Sequence, residues 1–247
     1  MINFSAVRPE SIVGKLVRIP FRLLPAGMAM PVLQGPLAGK KWIIGSYTHG
    51  CWLGSYEPDM QRYMVKEVRR GGVFYDLGAN VGFYSLMAAV LSDPGKVYAF
   101  EPLPRNLDYL RRHIELNHIS NIEVLPLAVS DKEGSALFKL GENRELGRLE
   151  SDGNLRVQVT TLDALLRRNA IAPPDCIKMD IEGEELCALR GAKECFIRYR
   201  PRLFLCTHSQ ELHSECCRLL LSWGYKCEHI RQITEDAAEL FASPITS

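Results

Sequence analysis

The chain has 247 residues, which is enough for one large α/β domain with a complete hydrophobic core. Hydrophobic residues make up 47% and charged residues 24%, as in an ordinary soluble enzyme. The net charge is only +1, so the composition argues against a nucleic-acid partner. No apolar run approaches the roughly 18 residues that a membrane span needs.

The N-terminal region, residues 1–57, is predicted to be an arm and lid segment that precedes the main domain, residues 58–247. Its first 35 residues are punctuated by four prolines, at Pro9, Pro20, Pro25 and Pro31. The apolar and basic stretch from Ser11 to Leu33 is interrupted too often for a signal peptide. We expect it to dock on the domain or on a second copy, which would give a homodimer through this arm.

Short elements are predicted next. The stretches "KKWIIGSY" and "CWLGSY" are strand-like, and a helix is expected from about Pro58 to Arg70, where two glycines follow.

From residue 72 onward, apolar strand-like segments alternate with helical segments. The predicted strands of the main sheet are "GVFYDLG", "KVYAFEP", "IEVLPLAVS", "DCIKMDI", "RLFLCTH" and "YKCEHI". The segments "ALFKL" and "RVQVTT" are predicted to pair as a hairpin. This alternation predicts a mostly parallel sheet with helices on both faces. Ligands of such sheets bind beyond the carboxyl ends of the strands.

The stretch "VFYDLGANVGFYS" is the strongest local signal. A strand ends at Asp76, Gly78 and Ala79 form a tight turn with Asn80, and Gly82 opens a helix. The third glycine of a dinucleotide loop is missing, and no G-K-[ST] of a phosphate-binding loop follows. A carboxylate before the turn suits a nucleoside that carries an ammonium group and no phosphate, as in S-adenosylmethionine (SAM).

A second carboxylate, Glu101, ends the next strand and is followed by Pro102. An acidic side chain there accepts hydrogen bonds from ribose hydroxyls in nucleoside sites. The alternative is an ordinary strand-to-helix turn with an exposed Glu101. His113 and His118, in and after the second helix, are expected to face solvent.

The motifs "FYDLGANVGFYS", "AFEPLPRNLDYLRRHIELN", "LPLAVSDKEG", "TTLDAL" and "IKMDIEGEE" occur in order between about Tyr56 and Gly191. This set resembles the FkbM-type SAM-dependent methyltransferases. The resemblance implies a Rossmann-like class I methyltransferase fold, whose sheet has seven strands with the last one antiparallel. It also implies O-methylation, usually of a sugar or polyketide hydroxyl.

The resemblance extends to candidate site residues. Tyr56 and Glu57 precede the helix that should cross the cofactor loop, and Tyr56 is expected to close over the methionine end of SAM. Ala128 is expected at the adenine. A core tyrosine, a helix-terminal acid and an ordinary strand end remain the alternatives.

Asp180 ends the fourth strand, beside the methyl-transfer position that the fold implies. It is the first candidate for a SAM contact and for the catalytic base, and Glu182 is the second candidate for the base. The pair is also a candidate Mg²⁺ site, although no third ligand is evident. Glu184 and Glu185 are interpreted as the start of a helix, where the dipole favours negative charge.

His208 follows the fifth strand and is a candidate general base. The family often has an acid-x-His pattern here, whereas this chain has Cys206 at the position of the acid.

Two other classes of function remain open. One is a non-catalytic SAM- or nucleotide-binding partner subunit, and the other is a methyltransferase that acts on nucleic acid or protein. The eight cysteines form no C-x-x-C pair, which favours free thiols in a reducing, cytoplasmic compartment.

Overall fold

A computed structural model describes residues 24–140, 147–149 and 153–245. The strands, in chain order, are β1 (Ala29–Pro31), β2 (Lys41–Ile43), β3 (Val73–Leu77), β4 (Lys96–Phe100), β5 (Ile122–Leu125), β6 (Ala128–Val129), β7 (Gly134–Leu140), β8 (Gly147–Leu149), β9 (Leu155–Thr160), β10 (Cys176–Met179), β11 (Arg202–Thr207), β12 (Tyr225–Gln232) and β13 (Ala238–Pro244). The helices are α1 (His49–Leu53), α2 (Pro58–Glu67), α3 (Phe83–Ser92), α4 (Pro104–Leu116), α5 (Leu162–Arg167), α6 (Glu185–Arg190), α7 (Lys193–Tyr199) and α8 (Gln210–Ser222).

The central sheet has seven strands in the order β12-β13-β11-β10-β3-β4-β5. The pairs from β11 across to β5 are parallel, whereas β13 is antiparallel to both β11 and β12. The predicted fold class, with its antiparallel last strand, is therefore confirmed.

Helices and apolar clusters cover both faces of this sheet. Successive strand residues alternate between the clusters, so Phe74 faces one of them and Tyr75 the other. The first cluster includes residues of α2, α3 and α4, and the second those of α5, α6, α7 and α8. The N-terminal segment belongs to the first cluster through the buried Trp42 and Trp52.

The third predicted strand is two strands. Its first part, β5, lies in the central sheet, and its second part, β6, pairs with β9 in a four-stranded sheet of order β6-β9-β7-β8. Pro126 lies between the two parts and has no N–H for a ladder hydrogen bond, which explains the break. The predicted pairing of "ALFKL" with "RVQVTT" is confirmed as the antiparallel pair β7–β9.

Two other local predictions are wrong. The stretch "CWLGSY" is not a strand, because Thr48 caps the N-terminus of α1 and Gly54, at φ 71°, ends it. The segment expected as one helix after residue 183 is two, α6 and α7, which meet at Gly191. A Cβ on Gly191 would lie 2.1 Å from the Ser130 carbonyl oxygen, so this corner packs backbone against backbone.

His113 is also buried rather than exposed, because its ring connects three segments. Its Nε2 accepts a hydrogen bond from the Ile43 N–H, and its Nδ1 lies 2.8 Å from the Val81 carbonyl oxygen. The ring also stacks on Trp42. His118 is exposed, as expected.

Among the helices that the structure describes, none has the length and apolar character to cross a bilayer.

Candidate functional site

A cavity lies at the carboxyl ends of β3, β4 and β10, the edge where a parallel sheet binds ligands. It contains about 930 Å³ of empty space, including its open mouth. Its wall includes nine of the predicted site residues: Tyr56, Gly78, Ala79, Asn80, Glu101, Pro102, Ala128, Asp180 and Glu182. Other wall residues, among them Tyr47, Phe138 and Lys178, were not singled out from the sequence.

The glycine loop is held rigidly against its neighbours. The N–H groups of Gly78 and Ala79 both donate to the Phe100 carbonyl oxygen, at 3.0 and 2.9 Å. Gly78 has φ +83°, and a Cβ there would lie 2.0 Å from the Asp180 carbonyl oxygen. The glycine is thus required by the contact with the segment after β10. Gly82 also has no room for a side chain, since a Cβ added there would lie 2.4 Å from Leu110 Cδ1.

Glu101 is buried, and its carboxylate is fixed by the backbone. One oxygen accepts from the Asn80 N–H and the other from the Leu103 N–H, both at 2.8 Å. Burial raises the pKa of Glu101 to about 7, although these hydrogen bonds lower it. A carboxylate has about four lone-pair sites, and Asn106 is also hydrogen-bonded to Glu101, so acceptor capacity for about one more hydrogen bond is left for a ligand in the cavity.

Asp76 lies beneath the glycine loop rather than on the cavity wall. Its Oδ2 accepts from Ser85 Oγ at 2.5 Å, and its buried Oδ1 has no hydrogen-bond partner within the described residues. Burial raises the pKa of Asp76, and the nearby Lys178 ammonium lowers it. Asp76 and Lys178 are register partners on β3 and β10, which places opposite charges side by side under the site.

Lys178 is a site residue that the sequence analysis missed. Only 4% of its side chain is exposed, and its Nζ lies 3.0 Å from Asp180 Oδ2 and 4.5 Å from the centre of the Tyr84 ring. Burial lowers the pKa of Lys178, but Asp180, Asp76 and Glu57 outweigh burial and raise it. The signal in the sequence was a lysine inside an apolar strand, because lysine is rarely buried without partners.

His208 lies behind the cavity wall and connects three carboxylates. Its Nε2 is 3.5 Å from Asp180 Oδ1 and 3.4 Å from Glu182 Oε2, and its Nδ1 is 2.9 Å from Glu185 Oε1. Burial lowers the pKa of His208, but these carboxylates raise it, to about 9. Burial also opposes ionisation of Asp180, yet Lys178 and His208 hold the pKa of Asp180 below its usual value.

Glu185 begins α6, as expected, but its carboxylate is fully buried. Besides His208, it accepts hydrogen bonds from the N–H groups of Ile181 and Gly183. Glu185 therefore fixes both the His208 ring and the turn that carries Glu182. Glu185 and His208 are 23 residues apart, so no local sequence pattern predicts their contact.

Tyr56 and Glu57 have different surroundings. Tyr56 lines the cavity and packs edge-on against Phe83. Glu57 lies away from the wall, where it accepts a hydrogen bond from the Tyr84 hydroxyl and lies 3.6 Å from Arg231.

Mg²⁺ does not fit the two carboxylates proposed for it. Mg²⁺ prefers about six oxygen ligands in octahedral geometry. The described neighbours of Asp180 and Glu182 include the imidazole of His208 and the Lys178 ammonium. The thiol of Cys206 also hydrogen-bonds Asp180.

Comparison with known proteins gives consistent matches. A family model described as the methyltransferase FkbM domain matches residues 76–227. Hexuronic acid methyltransferase AglP of Haloferax volcanii is 27% identical over 139 residues, covering 55% of this chain and 56% of that protein. Methyltransferase sdnD of Sordaria araneosa is 26% identical over 167 residues, covering 53% of this chain and 64% of that protein. The chain thus spans less than two thirds of either relative.

A solved structure shares the fold. The crystal structure of methyltransferase FkbM from Methylobacillus flagellatus superimposes with a TM-score of 0.54 at 19% identity. The match covers 79% of this chain and 55% of that chain.

Proposed function

Because the chain belongs to the FkbM methyltransferase family, we propose that this methyltransferase transfers a methyl group from SAM to a hydroxyl of a small molecule, of sugar or polyketide type. The observation that carries the proposal is a continuous cavity with Glu101 and Asp180 both in its wall. The name of one relative, a hexuronic acid methyltransferase, supports a sugar-type acceptor.

The residues present fit the nucleoside part of SAM. Glu101 has acceptor capacity left for a ribose hydroxyl, and Leu103, Ala128 and Phe138 supply an apolar surface for the adenine. Asp76 supports the loop from below, where it accepts a hydrogen bond from Ser85 and lies beside Lys178.

SAM supplies a methyl group on a positively charged sulfur, which leaves as a neutral thioether when the acceptor oxygen attacks. The protein has to align the acceptor with that methyl group and take up the hydroxyl proton. Asp180, Glu182 and His208 form the polar cluster at the cavity that we assign to the second task. At neutral pH His208 is protonated, given its pKa of about 9, so the carboxylates are the first proton acceptors.

Calorimetry with SAM followed by a methyl-transfer assay tests the proposal. The acceptor panel contains free sugars, hexuronic acids and polyketide alcohols, with RNA and protein as comparison substrates. We expect SAM to bind and a small-molecule hydroxyl to be methylated. Tight SAM binding without turnover on any acceptor would instead favour a non-catalytic partner subunit. Failure of SAM to bind would exclude both, and turnover on RNA or protein alone would overturn the acceptor class.

SAM affinity should decrease as the pH falls below about 7, because the ionised carboxylate of Glu101 is the stronger hydrogen-bond acceptor for a ribose hydroxyl. Its pKa of about 7 means that below this pH each unit raises the Kd by up to about tenfold, and above it the Kd levels off. Asp76 is a charged group that acts on Glu101, and Asn106 is hydrogen-bonded to it. Calorimetry between about pH 6 and pH 8 measures this dependence.

The variant Glu101→Gln is the control for this assignment. It should bind SAM more weakly at pH 8 and lose most of the pH dependence. A Glu101→Gln protein with the wild-type pH profile would assign the titration to another group.

We further propose that residues 1–57 act as an arm and lid for the domain at 58–247. Tyr47 and Tyr56 in the cavity wall support the lid part. The arm that would mediate a homodimer begins within residues 1–23, outside the described part of the chain.

All eight cysteines are free thiols, which supports a cytoplasmic location.

A further inference from the structure

Three potential ligand atoms, from Asp180, Cys206 and His208, lie close together beside the cavity, and a fourth, from Glu182, lies near His208. From His208 Nε2, the distances are 3.5 Å to Asp180 Oδ1, 3.4 Å to Glu182 Oε2 and 3.9 Å to Cys206 Sγ. The ligand atoms of Asp180, Cys206 and His208 all lie within 4.8 Å of one another. In a tetrahedral zinc site, where metal–ligand bonds are about 2.0–2.3 Å, neighbouring ligand atoms are about 3.3–3.6 Å apart. The cluster therefore needs only small side-chain shifts to surround a cation.

The support of the histidine matches that of a metal ligand. Glu185 Oε1 lies 2.9 Å from His208 Nδ1, and Glu185 itself is fully buried and fixed by two backbone N–H groups. This carboxylate holds a ring proton on Nδ1, so Nε2, which faces Asp180, Glu182 and Cys206, is the nitrogen that a cation would bind by displacing its proton. A carboxylate behind the histidine is the usual outer-shell partner in zinc sites.

The types of ligand decide the class of cation. A thiolate and an imidazole favour borderline divalent ions such as Zn²⁺ over Mg²⁺, which binds oxygen. Lys178 is bonded to Asp180 Oδ2, so it leaves Oδ1 available to the cation. We propose that Asp180, Cys206 and His208, with Glu182 as the fourth ligand, form a site for a divalent cation of the Zn²⁺ class.

Such a cation would lie next to the wall that Asp180 and Glu182 contribute to the cavity. There it would polarise an acceptor hydroxyl and lower the cost of removing its proton. This catalytic role rests on the proposed function, whereas cation binding itself does not.

The test uses the full chain without a histidine tag, stripped of metal with a chelator. Calorimetry with Zn²⁺ should give one tight site per chain, and millimolar Mg²⁺ should not compete. Co²⁺ should give the strong absorption bands of a tetrahedral site with a thiolate ligand. The single variants Cys206→Ser and His208→Gln should each lose at least about 100-fold in Zn²⁺ affinity. Cys227→Ser, a change of the same kind outside the cluster, should keep the affinity.

Two further measurements distinguish the loss of a ligand from the loss of the fold. Thermal unfolding shows whether Cys206→Ser or His208→Gln has unfolded. The variant Cys206→Asp replaces the thiolate by an oxygen ligand and so keeps a ligand at this position. That variant should still bind a cation, with its preference shifted from Zn²⁺ toward Mn²⁺. Equal Zn²⁺ affinity in wild type and His208→Gln, or Co²⁺ spectra without a thiolate band, would overturn the site. Zn²⁺ binding in a protein that fails to bind SAM would leave the site standing and exclude the proposed function.

Discussion

The variant Asp180→Asn should lower kcat by about 10²–10⁴-fold, the usual contribution of a group that takes up a proton in the transition state. Asparagine keeps the size of the side chain but removes its negative charge and most of its basicity. The same loss is expected if Asp180 holds a cation rather than the proton, because a neutral amide is the weaker ligand in either role. The SAM Kd should change by less than about tenfold, since Glu101 and the glycine loop remain intact.

The measurement is steady-state kinetics at saturating SAM, with calorimetry for the SAM Kd. Asp108→Asn makes the same chemical change on the exposed side of α4, where 66% of the side chain is accessible, and should leave kcat unchanged. Thermal unfolding checks that the Asp180→Asn protein is folded. A kcat within a factor of three of wild type would remove Asp180 from the catalytic machinery.

The variant Lys178→Met should destabilise the protein by about 3–5 kcal/mol, because it removes the cation from a buried set of carboxylates. Asp180, Asp76 and Glu57 raise the pKa of Lys178, and its buried ammonium is the cation that these three groups share, whereas His208 acts on Asp180 and Arg231 on Glu57. Without it, the carboxylates must either repel one another or take up protons. At about 2–4 °C per kcal/mol, the melting temperature should fall by about 6–20 °C.

A double-mutant cycle identifies the cause of this loss. Lys178→Met combined with Asp180→Asn should be less destabilised than the sum of the single changes, by about 0.5–3 kcal/mol. Lys66→Met is the matched control, since 75% of the Lys66 side chain is exposed and its removal should cost at most about 0.5 kcal/mol. Equal melting temperatures for Lys178→Met and Lys66→Met would show that the buried charge is not needed.

The sequence was sufficient for the parts of the fold that depend on local order. Alternating strands and helices follow from apolar periodicity, and the tight turn of the loop follows from Gly78, whose φ of +83° favours glycine. Short elements were harder, because α1 depends on its caps at Thr48 and Gly54 rather than on a periodic pattern. The last strand, β13, was expected only through the family resemblance.

The sequence predicted the site residues at the ends of strands, but not those that contact them from other positions. Glu101 and Asp180 lie directly after strands, so the parallel sheet brings them to one edge. Lys178 faces Asp76 on the neighbouring strand, which depends on register, and Glu185 contacts His208, which depends on helix packing. Asp76 shows that a strand-end position is not sufficient. It precedes the glycine loop in the sequence, but its side chain is buried under that loop rather than in the cavity wall.

The contact between Gly78 and Asp180 has a consequence for how such an enzyme acquires new acceptors. The Asp180 N–H donates to the Leu77 carbonyl oxygen at 3.0 Å, and no side chain fits between the two loops. Backbone therefore forms the floor of the cavity, and backbone offers nothing that a point mutation can reshape without breaking the turn. Divergence in acceptor choice has to arise in the wall instead, at side chains that line the cavity and are not assigned to SAM, such as Tyr47.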